Sequence, residues 1–174
     1  KIDPEAVAAA DCIIHLAGAN IGEKRWTKKR KQELYDSRIK TGELILENIR
    51  TSGRKLRAFI SASATGYYGM TTSGKIYMET DEAAPDFTGE LCRQWENVAD
   101  RFSETGARTV RIRSGVVLTR RGGALGRIST LARAGLASAL GTGKQYFPWI
   151  HVDDLCGIYI KAVEDTSLNG AFNA

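Results

Sequence analysis

Residues 57–69, Arg-Ala-Phe-Ile-Ser-Ala-Ser-Ala-Thr-Gly-Tyr-Tyr-Gly, carry the densest set of groups in this chain that could do chemistry. An apolar run passes there into three small hydroxyl residues, Ser61, Ser63 and Thr65, and then into a Gly/Tyr turn holding Tyr67 and Tyr68. A parallel strand that ends this way leaves hydroxyls at its carboxyl end with little bulk around them, and open α/β sheets bind ligands outside that end. Such a hydroxyl can hold a substrate oxygen, and a phenol beside it can assist. The same composition also serves a Ser/Gly turn that only redirects the chain. The choice between a site and a turn rests on three further strand ends.

Apolar runs of strand length alternate with amphipathic stretches of helix length, the pattern of βα units around a parallel sheet with flanking helices. Strands are expected over 12–16, 56–62, 109–118 with a break at Ser114-Gly115, and 146–152. Helices are expected over 28–50, ended by Gly53, and over 88–104, ended by Gly106. In the second of these, Leu91, Trp95, Val98 and Phe102 fall on one face. A third helix is expected over 124–139, and a last one, capped by Asp153 or Asp154, through Val163. The opening residues read as the tail of a helix, and Phe172-Asn173-Ala174 as a strand-like end, so the chain is expected to be an excerpt.

At 174 residues and 43% hydrophobic, the chain fits one domain spanning 1–174. Its net charge of +5 is concentrated in Lys24–Lys31, where a solvated helix face is the simplest account. No nucleic-acid module surrounds that run, so no nucleic-acid partner is expected, although a basic rim beside a cleft also attracts phosphorylated ligands. No apolar run reaches membrane-spanning length and the first residues lack the apolar core of a secretion signal. Cys12, Cys92 and Cys156 are too scattered for a disulfide scaffold or a metal site and lie in apolar settings that favour buried free thiols. A reduced, cytoplasmic location is the expectation, with no membrane partner.

Leu16-Ala17-Gly18-Ala19-Asn20, the Ser61–Gly69 turn, Arg113-Ser114-Gly115-Val116-Val117-Leu118 and Pro148-Trp149-Ile150-His151-Val152-Asp153-Asp154, in this order and spacing, resemble the short-chain dehydrogenase/reductase superfamily. The closest likeness is to its atypical, extended-type branch, the NAD-dependent epimerase/dehydratase-like family, and it covers nearly the whole chain. The resemblance implies a Rossmann-like α/β fold and NADP or NAD as cofactor. It places Ala17, Gly18 and Ala19 under the adenosine ribose, where larger side chains would collide with the ligand. It sets Ser63 facing the nicotinamide with Ser61 and Ala62 beneath it, and has Arg113, Ser114, Gly115 and Val116 follow the strand that reaches the carboxamide end. His151, Asp153 and Asp154 take structural roles linking the last helix to the sheet.

Two departures from the family pattern bear on chemistry. The superfamily's acid/base pair is a Tyr followed four residues later by a Lys, and none of the six tyrosines here has one. The helix that should carry the pair offers Phe87/Leu91 or Thr88/Cys92 instead, depending on register. A phenol with no cation nearby has a pKa near 10 and is a poor base at neutral pH, so the acid/base group comes from elsewhere, with Tyr67, Tyr68, Cys92 and Glu96 as candidates. Second, Phe147 stands where nucleotide-sugar enzymes of the branch resemble one another in a phosphate-gripping Arg, which argues against a nucleotide-diphosphate sugar as substrate. The Gly-rich turn that wraps the pyrophosphate is also not among these residues. In the family it lies upstream, and a substrate-closing region follows, so the intact protein is expected to bind NADP or NAD and this piece to bind it weakly or not at all. Two functional readings follow: an oxidoreductase or epimerase-like enzyme acting on a small carbonyl or hydroxyl substrate through Ser63 and a tyrosine of the 66–69 turn, or a non-catalytic NAD(P)-binding redox sensor or partner-binding protein. Oligomeric state is not legible.

Overall fold

A computed structural model of the chain describes residues 2–120, 122–136, 138 and 142–174. Asp3 accepts a hydrogen bond from the Glu5 N–H at 2.9 Å and Pro4 opens the first turn, so α1 (Pro4–Ala9) has its own N-cap and is not the tail of a helix. β1 (Cys12–His15) leads into α2 (Lys28–Ser52), which Thr27 caps through the Arg30 N–H and Gly53 ends at φ 63°. The run Lys24–Lys31 is not wholly a solvated face. Arg30 is buried and ion-paired to Glu23 and Glu33, which pins the loop before α2 to its first turn.

β2 (Ala58–Ala64) begins two residues later than hydropathy places it, because Leu56 packs into the core from the preceding loop. A 3₁₀ turn over Thr65–Tyr68 follows and closes at Gly69, φ 90°. α3 (Phe87–Asp100) is capped by Asp86, which accepts from the Gly89 N–H at 2.8 Å. Its continuation to Thr105 is 3₁₀ and not α-helical, ending at Gly106. Then come β3 (Arg108–Ser114), β4 (Val116–Thr119), α4 (Gly123–Arg133), β5 (Trp149–His151), α5 (Val152–Glu164) and β6 (Gly170–Asn173). The helix expected to reach Ala139 is described only to Arg133, and Ala139, like Arg121 and Gly141, lies outside the described residues. α5 is capped by His151, whose Nδ1 accepts from the Asp153 N–H at 3.3 Å. Asp153 and Asp154 sit in the first turn, where their charges suit the helix dipole.

Four parallel strands form the main sheet in the order β1-β2-β3-β6, and β4-β5 pair in parallel as a second, two-stranded sheet. Alternation along β2 sends Phe59 to one face and Ile60 to the other. Phe59 stacks on Phe102 at 3.6 Å and joins Ile45, Leu46 and Ile49 of α2, while Ile60 packs with Val110, Ile112 and Tyr159 against α5. The strand expected over 109–118 is divided between the two sheets. The Gly115 N–H donates to the Ala174 carbonyl and the Val116 N–H to that of Pro148, each at 2.8 Å. A Cβ on Gly115 would stand 2.7 Å from the Pro148 oxygen, so glycine permits the crossing.

Cys12 is half-buried, Cys92 buried and Cys156 exposed on the outer side of α5, the last contrary to the apolar setting its neighbours indicate. Tyr146, Phe147 and Trp149 are exposed. Among the described residues no helix is long and apolar enough to cross a membrane, and no group of three or more His, Cys, Asp or Glu could hold a metal.

Candidate functional site

Strand register brings the strand ends together. His15 lies opposite Ser61 and Ala64 opposite Ser114 in parallel pairings, so residues 17–19, 64–67 and 114–115 all emerge along the carboxyl edge of β1, β2 and β3. Ala17 and Gly18 are exposed, and Ala19, Ala62, Ser114, Gly115 and Val116 are partly so. The Ala19 N–H donates to Ser37 Oγ and its carbonyl accepts from Arg38 Nη2, so the first turn of this edge is fastened to α2. Beneath Gly18, a Cβ would come within 2.9 Å of Arg38 Cζ. The inner side of the turn is thus filled and its outer side is flat and small. These residues fit a flat dinucleotide laid across the edge, although the Gly-rich turn for its pyrophosphate is not in the sequence.

Ser63 lies inside this edge and is 3% exposed. Its hydroxyl donates to Glu96 Oε1 at 2.6 Å. Glu96, 5% exposed, is gripped at both oxygens by Arg113 Nε and Nη2, each at 2.8 Å. Arg113 Nη1 in turn donates to the Tyr68 hydroxyl at 2.9 Å and the Glu79 carbonyl at 3.1 Å. The Tyr68 hydroxyl donates to Asn173 Oδ1 at 2.7 Å, with the Met78 carbonyl at 3.1 Å as a second acceptor. Burial works against the Arg113 charge, and the hydrogen bonds to Glu96 and Tyr68 more than offset it, so the guanidinium is held more firmly protonated than a free arginine. One buried polar chain therefore joins β2, α3, β3, the 3₁₀ turn and β6.

The two tyrosines differ. Tyr68 is buried with its hydroxyl engaged, whereas Tyr67 lays its ring 3.5 Å from the Arg113 guanidinium and its hydroxyl has no hydrogen-bond partner among the described residues. A cation does reach these phenols, but from β3 across 45 residues and not from four residues along a helix. Of the two helix registers left open, Thr88/Cys92 faces the strand ends: a Cβ on Gly66 would meet Thr88 at 3.4 Å and Cys92 at 3.9 Å. Phe87 packs edge-on against Trp26, and Leu91 joins the α2–α3 core. Burial, with the Glu96 charge adding to it, pushes the Cys92 thiol up to about 11, and it lies against Ser63 and the Ala64 backbone. Ser61 has no exposed surface and donates to the Ala62 carbonyl at 2.9 Å, so it lies under Ser63 within the sheet.

Sequence reasoning left Glu96 as a bare candidate and missed His15, Arg38, Glu79 and Asn173. A carboxylate inside the buried stripe of Cys92, Trp95 and Ala99 has to find a cation, and Arg111 and Arg113 alternating with Val110 and Ile112 point two cations at one face. Those patterns were available. The pairing across 17 residues was not.

This is a parallel, Rossmann-like α/β sheet whose strand ends gather along one carboxyl edge. The sequence model of the NAD dependent epimerase/dehydratase family matches residues 4–174, and the chain belongs to that family. It is 37% identical over 173 residues to epimerase family protein Mb2239 of Mycobacterium bovis, covering 99% of this chain and 56% of that protein. The crystal structure of human epimerase family protein SDR39U1 with NADPH superposes with a TM-score of 0.88 at 34% identity, over 99% of this chain and 61% of that one. A nucleoside-diphosphate sugar epimerase from Corynebacterium glutamicum gives 0.85 at 33% identity, over 99% and 36%. The chain thus spans little more than half the length of the curated relatives it matches.

Proposed function

We propose that the intact protein is an NAD(P)-dependent oxidoreductase or epimerase-like enzyme acting on a small carbonyl or hydroxyl substrate without a Tyr-x3-Lys pair. The observation that carries this reading is the parallel register that gathers 17–19, 64–67 and 114–115 at one sheet edge. Membership of a family named for NAD dependence and likeness to a relative crystallised with NADPH support the cofactor. Ala17, Gly18 and Ala19 take the adenosine side and Ser114, Gly115 and Val116 the carboxamide side, with Ser61 and Ala62 supporting the floor and Arg113 holding it from behind. The bound nicotinamide supplies or accepts the hydride. Because the Ser63 hydroxyl donates its hydrogen bond to Glu96, its oxygen offers lone pairs to a ligand and orients a hydroxyl more readily than a carbonyl. Tyr67, whose hydroxyl has no partner among the described residues, is the phenol placed to assist, while Tyr68 keeps Arg113 and Asn173 in place. Phe147, in place of a guanidinium, supports a substrate without a diphosphate.

Burial of Ser63 and its commitment to Glu96 favour a second reading, in which the protein binds NAD(P) without turnover and reports redox state or presents a partner surface. Ser63→Ala in the intact protein separates the two. For a catalyst, NADPH affinity stays within about twofold while cofactor-linked turnover of a panel of small aldehydes, ketones and alcohols falls about 100-fold. A sensor shows no turnover before or after the change. Tight binding of a nucleotide sugar would count against the proposed substrate class.

A further inference from the structure

His15 is the last residue of β1, two positions before the 17–19 turn, and is 4% exposed. Its Nε2 lies 3.4 Å from the Arg38 carbonyl, which can only accept, so Nε2 carries the proton of the neutral ring. The imidazole packs 5.9 Å from the Phe59 ring of β2 and edge-on to Trp95 of α3 at 6.3 Å. The Arg38 guanidinium lies 5.0 Å from the centre of that same Trp95 ring, donates to the carbonyls of Leu34 and Ala19, each at 3.1 Å, and fills the space under Gly18. Arg38 thus ties the 17–19 turn to α2 with its side chain and holds His15 with its backbone.

Among the described residues no anion answers these two basic groups. β2 faces His15 with Phe59 and, in register, Ser61, neither of them charged. α2 brings Arg38 and, acting on Arg38 as a like charge, Arg30. α3 brings Cys92, which remains a thiol, and Glu96, whose carboxylate is taken up by Arg113 and Ser63. Burial holds the His15 pKa below that of a free imidazole and the Arg38 charge adds to it, outweighing the bond to the Arg38 carbonyl, which favours the protonated ring. A proton on Nδ1 would create a donor with no acceptor among the described residues and a second buried positive charge beside the first.

We propose that His15 and Arg38 form a pH-operated latch on the 17–19 turn, closed while the imidazole is neutral and opened when it takes up a proton. The charged ring is relieved only by reaching water or by moving away from Arg38, and either movement parts the end of β1 from α2, where Arg38 grips the Ala19 carbonyl and the Ala19 N–H meets Ser37 Oγ. The latch itself follows from these contacts alone. Its consequence for cofactor, a weaker hold in acid, rests on the reading above that the adenosine side lies on this turn.

The opened turn takes up a proton near about pH 6.5 and the latched one only at lower pH, so below that point each pH unit favours opening by up to about tenfold. Amide hydrogen exchange of residues 17–20, corrected for intrinsic rates, is to be measured on the intact protein at about pH 7.5 and about pH 5.5, for the wild type and for His15→Gln, whose neutral amide can still donate to the Arg38 carbonyl. Wild-type exchange is expected to rise about tenfold on acidification and that of His15→Gln less than about twofold. Exchange that does not change in the wild type, or that rises equally in both, overturns the proposal. If His15→Gln does not fold, the wild-type His15 ring resonances decide: a titration midpoint below about pH 6.5 that the Ala19 amide shares supports the latch, and a higher midpoint, or one the Ala19 amide does not follow, overturns it. The NADPH dissociation constant is expected to rise by a similar factor in the wild type and not in His15→Gln. Opening without loss of NADPH affinity leaves the latch standing and overturns instead the placement of the cofactor on this turn.

Discussion

Glu96 is the residue on which the buried polar chain turns. It accepts one hydrogen bond from Ser63 and two from Arg113, and Arg111 approaches the same carboxylate to 4.0 Å while pairing with Asp100. Breaking a buried pair from one side leaves an uncompensated charge, a loss of about 3–5 kcal/mol. Glu96→Gln is accordingly expected to lower stability by about that amount in urea unfolding, more than any exposed ion pair such as Arg93–Glu90 can account for. A cost below about 1 kcal/mol would mean that water reaches the pair in solution. At the same scale, Tyr67 and Tyr68 are neighbours in sequence with different employment, since a 3₁₀ turn directs one hydroxyl to Asn173 and leaves the other without a partner among the described residues.

Among the elements, the junction of β3 and β4 shapes the edge most. Gly115 passes so close to Pro148 that one added methyl meets backbone atoms, which cannot turn aside as a side chain can. Gly115→Ala is therefore expected to destabilise by about 1–3 kcal/mol, with a lower Tm and weaker pairing of β4 with β5. Gly157 offers the contrast. It lies within α5 with nothing within 4 Å of an added Cβ, so Gly157→Ala should raise stability by about 0.5–1 kcal/mol. If the two changes have the same sign, steric contact at Pro148 is not what holds position 115 to glycine.

For the molecule as a whole, the sheet pairs β1 with β2 alone among the described residues, and Ile14 and Leu16 stand exposed along that side. The pyrophosphate turn is not in these residues, and the relatives are nearly twice as long. Titration of NADPH is expected to give weak or no binding to the 174-residue chain and clear binding to the intact protein, because the helix N-terminus behind that turn is the main anion site of such folds. Equal affinity of the two would show that the described edge suffices by itself.

Sequence alone determined the order of the elements, the parallel sheet and the family, because hydropathy period, terminating glycines such as Gly53 and Gly106, and the small residues at strand ends are local properties of the chain. It put Ser63 beyond the strand on one turn with Tyr67 and Tyr68, whereas β2 runs to Ala64 and buries Ser63, with only the two tyrosines on the turn, and it left the Thr88/Cys92 register open. It placed the cap of α5 on Asp153 or Asp154, two or three residues beyond the actual cap, His151. What only the tertiary structure decided is which charge meets which: Arg113 with Glu96 and Tyr68, Arg38 with backbone carbonyls and, among the described residues, no carboxylate. Partners far apart in the chain are chosen by strand register and helix packing, and a side chain's net charge environment is a sum over neighbours that no local pattern records.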